Sequence, residues 1–258
     1  MHRRTRDVSV NALRLAFGTL TVLPVRPPTV DRRTAGRAML LAPLVGVALA
    51  LVVLVEIVLL EALVPPLLAA VMVVGTLALL TRGMHLDGLA DTADGLGSGR
   101  PADGALEVMR KGDVGPFGVV TLVLVLLTQV VAVGYLLTTW DGPVNVAAAL
   151  VVSRLALPLS CVTGIPAARP EGLGATVAGS VPRSAAALVV LAAVVAAAVV
   201  AVFSSLAVWA TFVGLLGGLA LGAQAVRRFG GVTGDMLGAV VEATFTVAVV
   251  ALTVAAAP

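Results

Sequence analysis

The chain has 258 residues, of which 59% are hydrophobic and only 12% are charged, and its mean hydropathy is +1.09. This composition excludes a soluble domain, and apolar runs that are continuous rather than alternating exclude a membrane β-barrel. The net charge of +3 does not indicate a nucleic-acid partner, because the basic residues flank apolar segments. We therefore predict an all-α, polytopic helical membrane protein in contact with the lipid bilayer.

Apolar segments recur along the chain, and a helix needs about 20 apolar residues to cross a bilayer. We predict one integral-membrane domain over residues 1–258, with a basic arm at 1–37 in which residues 8–20 form an amphipathic helix. In that helix Asn11 and Arg14 are expected on one side, and Leu13 and Phe17 on the other. The seven predicted spans are 39–60, 67–86, 117–137, 144–161, 185–203, 206–226 and 236–255.

The distribution of Lys and Arg predicts the orientation of these spans. Eight of the 17 lie before the first span, and all the others except Arg154 lie in loops 82–116, 162–184 and 227–235. Because positive charge is retained on the cytoplasmic side, the N-terminus and these three loops are expected in the cytoplasm. An active site built from them would lie at the cytoplasmic face of the membrane.

Three aspartates follow the second apolar segment at the spacing of one helix face. Asp87, Asp91 and Asp94 are separated by four and three residues. Carboxylates that share a face repel one another, and a divalent cation relieves that repulsion, so we predict that these three bind Mg²⁺. Gly88 is interpreted as a position where the backbone approaches a phosphorylated substrate. His85, beside them, is a candidate ligand or general base, with a hydrogen-bonding role as the alternative.

A basic segment precedes the third apolar segment. Arg110 and Lys111 stand beside Gly112 and Asp113 in an Arg-Lys-Gly-Asp-x-Gly-Pro run. Two cations next to glycines suit a phosphate or a pyrophosphate, so we predict that Arg110, Lys111 and Asp113 bind substrate. The alternative is a positive anchor at the membrane boundary.

Charged residues also occur inside predicted spans, where they are costly in lipid. Asp235 begins the last span and Glu242 follows seven residues later on the same face. Asp235 could simply cap the helix, but together with Glu242 it indicates a site. Arg154 either pairs with Glu242 or contacts a substrate phosphate.

Four motifs resemble the signatures of the cobalamin synthase family, the adenosylcobinamide-GDP ribazoletransferases. They are His85-x-Asp-Gly-Leu-Ala-Asp-x-x-Asp-Gly, Met109-Arg-Lys-Gly-Asp-x-Gly-x-Phe-Gly, Ser153-Arg154 and Gly231-x-Thr-Gly-Asp-x-x-Gly-Ala-x-x-Glu242. The resemblance implies a Mg²⁺-dependent transferase of the bacterial inner membrane, acting in cobalamin biosynthesis. The 3′-hydroxyl of α-ribazole, or of its 5′-phosphate, would attack the corrinoid-bearing phosphate of adenosylcobinamide-GDP and release GMP. Asp94 or Asp235 would then be the general base.

Two other functions are compatible with parts of the pattern. A CDP-alcohol phosphotransferase also uses Asp-Gly motifs at a membrane face, but its pattern expects an Arg where Asp91 follows Ala90. A cation-coupled or proton-coupled transporter would use Asp235, Glu242 and Arg154, but it predicts inverted repeats that the sequence does not show. The sequence leaves the oligomeric state open.

Overall fold

The computed structural model describes residues 2–25, 30–200 and 206–257. Within these residues the chain forms helices joined by turns and two isolated β-bridges, which confirms the all-α prediction. In chain order the helices are α1 (His2–Leu20), α2 (Arg32–Leu40), α3 (Ala42–Leu60), α4 (Pro66–Leu80), α5 (Met84–Gly97), α6 (Ala102–Val108), α7 (Pro116–Leu136), α8 (Gly142–Ser160), α9 (Gly172–Val177), α10 (Arg183–Val200), α11 (Leu206–Phe229) and α12 (Gly234–Ala256).

Multiple apolar helices make this a multi-pass membrane protein. In the described part of the chain, α3, α7, α8 and α12 are each long and apolar enough to cross a membrane. Many Leu and Val side chains on α3, α4 and α7 are exposed, Leu79 by 76%. Such an apolar surface is favourable in contact with lipid and unfavourable in contact with water. The predicted count of seven spans stays a prediction, because residues 201–205 between α10 and α11 lie outside the described residues.

The predicted span 67–86 is wrong as a single helix. Helix α4 ends at Leu80, and α5 leaves at an angle of 88°. Arg82 and Gly83 adopt left-handed backbone conformations, with φ of 55° and 66°, which interrupt the helical hydrogen bonding. Because α5 carries three aspartates, we place it at the membrane boundary rather than across the membrane. The region 82–116, predicted as a loop, is therefore largely helical.

Helix α8 lies at the centre of the bundle. About two thirds (67%) of the apolar stretch of α8 is buried inside the protein, a larger share than for α3, α7 or α12. It packs against α3, α11 and α12. Small residues allow the close approach of these helices: a Cβ added at Gly46 of α3 would lie 2.9 Å from Val151 Cα. Gly214 and Gly218 of α11 face α12 in the same way.

The N-terminal arm is part of the bundle. Helix α1 buries a row of small residues and Leu20, so the predicted division of its faces is wrong: Leu13 is exposed on the same side as Arg14. Asp31 caps α2, its Oδ1 accepting from Thr34 N at 2.6 Å. Helix α2 then buries Met39. The arm therefore contributes to the interior as well as to the surface.

The loops predicted to share one face of the membrane do lie together. Arg169 NH2 donates to Leu106 O at 2.9 Å, and Ala168 N donates to Val232 O at 3.0 Å. At the other end, Tyr135 Oη donates to Ala256 O at 3.2 Å. The three polar segments thus meet at one end of the bundle, opposite the C-terminus.

This arrangement predicts the sidedness of chemical labelling. In a Cys161→Ala background, single cysteines replacing the exposed Asp103 and Glu171 should react with an impermeant thiol reagent from one side of sealed vesicles. A cysteine replacing Trp140, which is 98% exposed at the opposite end, should react only from the other side. Labelling of all three positions from the same side would contradict the fold.

Candidate active site

The aspartates of α5 lie on one helix, as predicted, but they differ in burial and in hydrogen bonding. Asp87 is exposed and Asp91 is half-buried, and both are directed to the same region. Asp94 is buried, and its two carboxylate oxygens accept from Gly115 N at 2.7 Å and Gly118 N at 2.9 Å. Asp94 therefore holds the beginning of α7 against α5. A metal or base role for Asp94 stays a prediction that these hydrogen bonds do not favour.

Glycines bring α5 into backbone contact with α12. A Cβ added at Gly88 would lie 2.5 Å from the carbonyl oxygen of Asp235, and one added at Gly238 would lie 3.0 Å from His85 Cα. A real Cβ essentially never lies 2.5 Å from another atom, so Gly88 requires glycine unless α12 shifts, whereas a Cβ at Gly238 would need the neighbouring backbone to move by a few tenths of an ångström. The side of Gly88 where a Cβ would stand is occupied by α12, and a contact of Gly88 with phosphorylated substrate stays a prediction.

This contact places Asp235 beside the acids of α5. Thr233 caps α12 by accepting from Met236 N at 3.0 Å, so Asp235 is not the capping residue. Its Oδ2 instead forms an ion pair with Arg169 NH1 at 3.5 Å. Arg169 was missed by sequence reasoning, because in the sequence it is one more basic residue in a loop far from both acidic motifs.

The carboxylates share one electrostatic environment. The pKa of Asp91 is raised to about 6, first by burial and then by the negative charges of Asp87, Asp235 and Asp94. Arg169 opposes this shift. The cluster therefore favours the approach of a cation.

A cavity of about 290 Å³ opens beside these acids. Asp87, Asp235 and His85 line it, together with mostly apolar side chains from several helices. His85 is buried, and within the described residues its Nδ1 has no hydrogen-bond partner. Burial, and then the charge of Arg154, lower the pKa of His85 to about 3, so its ring is neutral. A neutral imidazole with a free nitrogen can donate or accept one hydrogen bond.

A second polar group lies deeper in the bundle. Gln129 Nε2 donates to Glu242 Oε2 at 2.8 Å and to Thr246 Oγ1 at 2.9 Å. Arg154 and Glu242 line the same small cavity, and Arg154 NH1 donates to Ser153 Oγ at 2.7 Å. Gln129 is a second residue that sequence reasoning missed. A substrate contact for Arg154 or Glu242 stays a prediction, since both lie inside the helix bundle.

The predicted phosphate-binding residues lie together in one exposed turn, and one of them, Arg110, is near the site. Arg110, Lys111 and Asp113 are exposed in the turn between α6 and α7. Arg110 is close enough to Arg169 for the two charges to affect each other. This turn therefore brings positive charge near the acidic cluster.

The residues present fit a Mg²⁺ ion with oxygen ligands. In the described ranges no three His, Cys, Asp or Glu side chains lie close enough together to hold a metal ion by themselves. Mg²⁺ does not need such a group, because it is commonly held by one or two carboxylates together with substrate phosphates and water. The mutual repulsion of Asp87, Asp91 and Asp235 supports this fit.

Comparison with known proteins decides the family. A family model described as cobalamin-5-phosphate synthase matches residues 12–253. The chain belongs to this family. A relative from Frankia casuarinae is 44% identical over 93% of this chain and 94% of its own, and one from Nocardioides sp. is 46% identical over 90% and 93%. A relative from Bradyrhizobium diazoefficiens is 36% identical over 88% and 87%. All three are named adenosylcobinamide-GDP ribazoletransferase, and no solved structure matches the chain.

The resemblance to the cobalamin synthase family is thus confirmed, and the fold shows how its four motifs meet. The first motif forms α5, and the fourth begins α12, which Gly88 contacts. The second motif is joined to the first by the hydrogen bonds of Asp94. The third supplies Arg154, whose charge acts on His85.

The contact between α5 and α12 can be tested at Gly88. In Gly88→Ala the new Cβ forces the helices apart, which should lower the free energy of unfolding by about 1–3 kcal/mol and reduce activity. Gly75→Ala is the matched control, because it adds a methyl group to helix α4 with no neighbouring atom within 4 Å. Thermal unfolding in detergent measures both variants. Equal stability of Gly88→Ala and Gly75→Ala would show that the contact is not tight.

Proposed function

We propose that this chain joins adenosylcobinamide-GDP to α-ribazole or α-ribazole 5′-phosphate. The ribose 3′-hydroxyl oxygen forms a bond to the phosphorus that carries the corrinoid. The bond from that phosphorus to the bridging oxygen breaks, and GMP leaves with the electron pair while the hydroxyl proton passes to a base. The product is adenosylcobalamin or its 5′-phosphate, the last assembly step of cobalamin biosynthesis.

The convergence of Asp87, Asp91 and Asp235 beside Arg169 is the observation that supports this proposal. Asp87 and Asp91 would hold Mg²⁺ together with substrate phosphate oxygens and water. When bound, Mg²⁺ neutralises charge on the pyrophosphate oxygens during transfer. An acidic cluster next to cations is what phosphoryl transfer requires, because the reaction depends mainly on positioning and charge neutralisation.

The chain's own residues divide into anion-binding and proton-accepting groups. Arg169, Arg110 and Lys111 bind the pyrophosphate oxygens of the nucleotide-bearing substrate. Asp235 accepts the hydroxyl proton, because its carboxylate, unlike that of Asp94, is not held by two backbone N–H groups. The ion pair with Arg169 fixes the orientation of Asp235 before substrate binds.

The basic residues also support a location. Arg100, Arg110, Lys111 and Arg169 all belong to the end of the bundle that carries the acidic cluster. By the positive-inside rule, we propose that this end and the N-terminus face the cytoplasm of the bacterial inner membrane. Nucleotide-bearing substrate and GMP would then exchange with the cytoplasm.

The other functions are not favoured. The family match extends over almost the whole chain, which leaves no separate region for CDP-alcohol chemistry. Asp87, Asp91 and Asp235 lie at one end of the bundle, whereas a coupled transporter places its ion-binding groups near the middle of the membrane.

The first test of this reaction uses purified protein in detergent with Mg²⁺, adenosylcobinamide-GDP and α-ribazole phosphate. Wild-type protein should release GMP. Asp91→Asn removes one charge without changing shape, and turnover should fall by a factor on the order of 10²–10³. Asp103→Asn, an exposed aspartate of α6, is the matched control and should be close to wild type. Wild-type protein that releases no GMP, or Asp91→Asn with normal turnover at limiting Mg²⁺, would contradict the proposal.

A second test addresses Arg169. Arg169→Ala removes a cation proposed to contact the pyrophosphate, so the KM for adenosylcobinamide-GDP should rise about tenfold or more, with a smaller change for α-ribazole phosphate. Arg227→Ala is the control, because Arg227 is exposed and bonds only to its own helix, at Ala223 O, in the described contacts. Equal changes in the two KM values of Arg169→Ala would point to a general structural role.

A further inference from the structure

The cavity beside the acidic cluster has two chemically different sides. Its wall is apolar, formed by side chains of the N-terminal arm and of three other helices: Leu20, Met39, Leu157, Leu173 and Leu237. Asp87, Asp235 and His85 form its polar side. A mostly apolar cavity with a few converging polar groups is the usual form of a small-molecule site.

His85 adds a polar aromatic side chain to the cavity. It is buried, with only 5% of the residue exposed, and it lines the cavity. Within the described residues Nδ1 has no hydrogen-bond partner, but this atom is itself inaccessible and does not face the cavity. A ligand in the cavity would therefore contact another part of the imidazole ring.

The size of the cavity separates the two substrates of the proposed reaction. A volume of about 290 Å³ is at the lower end of what drug-sized ligands occupy. The corrinoid nucleotide, with its macrocycle and pyrophosphate, is far too large and too polar. α-Ribazole carries a flat, bicyclic, apolar base on a ribose, which matches an apolar wall with a polar side.

We infer that this cavity binds the nucleoside acceptor, with the aromatic base against the wall formed by Leu20, Leu157 and Leu173. The inference rests on the proposed function. The ribose is then on the polar side, where its 3′-hydroxyl meets Asp235. The N-terminal arm, through Leu20 and Met39, thus becomes part of the specificity for the acceptor base.

The proposed role of the cavity can be tested with a substitution that places a larger side chain in it. Leu173 is partly exposed at the beginning of α9, so Leu173→Phe can extend into the cavity without disturbing the core. Leu219→Phe is the matched control, because Leu219 lines a second apolar cavity of about 330 Å³ that contains no carboxylate. Binding of α-ribazole to each purified variant is measured by equilibrium dialysis, without the second substrate.

Leu173→Phe should weaken α-ribazole binding about tenfold, and Leu219→Phe should leave it unchanged. His85→Leu, which removes the imidazole from the polar side of the cavity, should also weaken it. Unchanged binding in Leu173→Phe, or a loss in Leu219→Phe instead, would overturn the inference.

The same variants separate this inference from the proposed function. In the GMP-release assay, Leu173→Phe should raise the KM for α-ribazole and leave that for adenosylcobinamide-GDP within about twofold of wild type. If wild-type protein releases GMP but Leu173→Phe keeps a normal KM for α-ribazole, the reaction stands and the cavity assignment is wrong. If wild-type protein releases no GMP, the proposed function is wrong, and dialysis still decides whether the cavity takes the nucleoside.

Discussion

The close contact between α5 and α12 is the constraint on which the site depends. Gly88 lies against the backbone of Asp235, and Gly238 lies against the backbone of His85. Gly88 allows an approach that any larger residue would prevent, and Gly238 on the facing helix makes the same contact tight. The contact brings the acids of two motifs, separated by more than half the chain, to one place, and it also holds His85 at the cavity.

Carboxylates that lie close together repel one another, and the surrounding residues must offset this repulsion. Burial and the neighbouring charges both raise the pKa of Asp91. Arg169 relieves part of the repulsion through its ion pair with Asp235. A single pair of this kind, partly exposed, contributes little to stability. Its larger effect is to keep a cation beside the acids in the absence of substrate, so the site is prepared for an anion before one arrives.

The sequence pattern predicted those features of the site that depend on residues close together in the chain. The spacing of Asp87 and Asp91 predicts a shared helix face, and α5 has one, because helical periodicity depends only on neighbouring residues. Arg169 and Asp235, which form an ion pair, are 66 positions apart, and Gln129 and Glu242, which form a hydrogen bond, are 113 positions apart. No local sequence pattern predicts either contact. The bend at Arg82 was not predicted, because apolar residues on both sides of it were taken as one continuous span.

The positions of the polar groups indicate how two dissimilar substrates meet. Arg110 is exposed, and its charge acts on the half-buried Arg169. Asp87 and Asp235 line the apolar cavity, and Asp235 also pairs with Arg169, so this one carboxylate adjoins both the cavity and a cation. With the proposed substrates bound, a hydroxyl in the cavity and a pyrophosphate on Arg169 would both reach Asp235. Phosphoryl transfer needs such positioning, because nucleophile and leaving group must lie on opposite sides of phosphorus. The apolar wall would keep water away from the attacking hydroxyl.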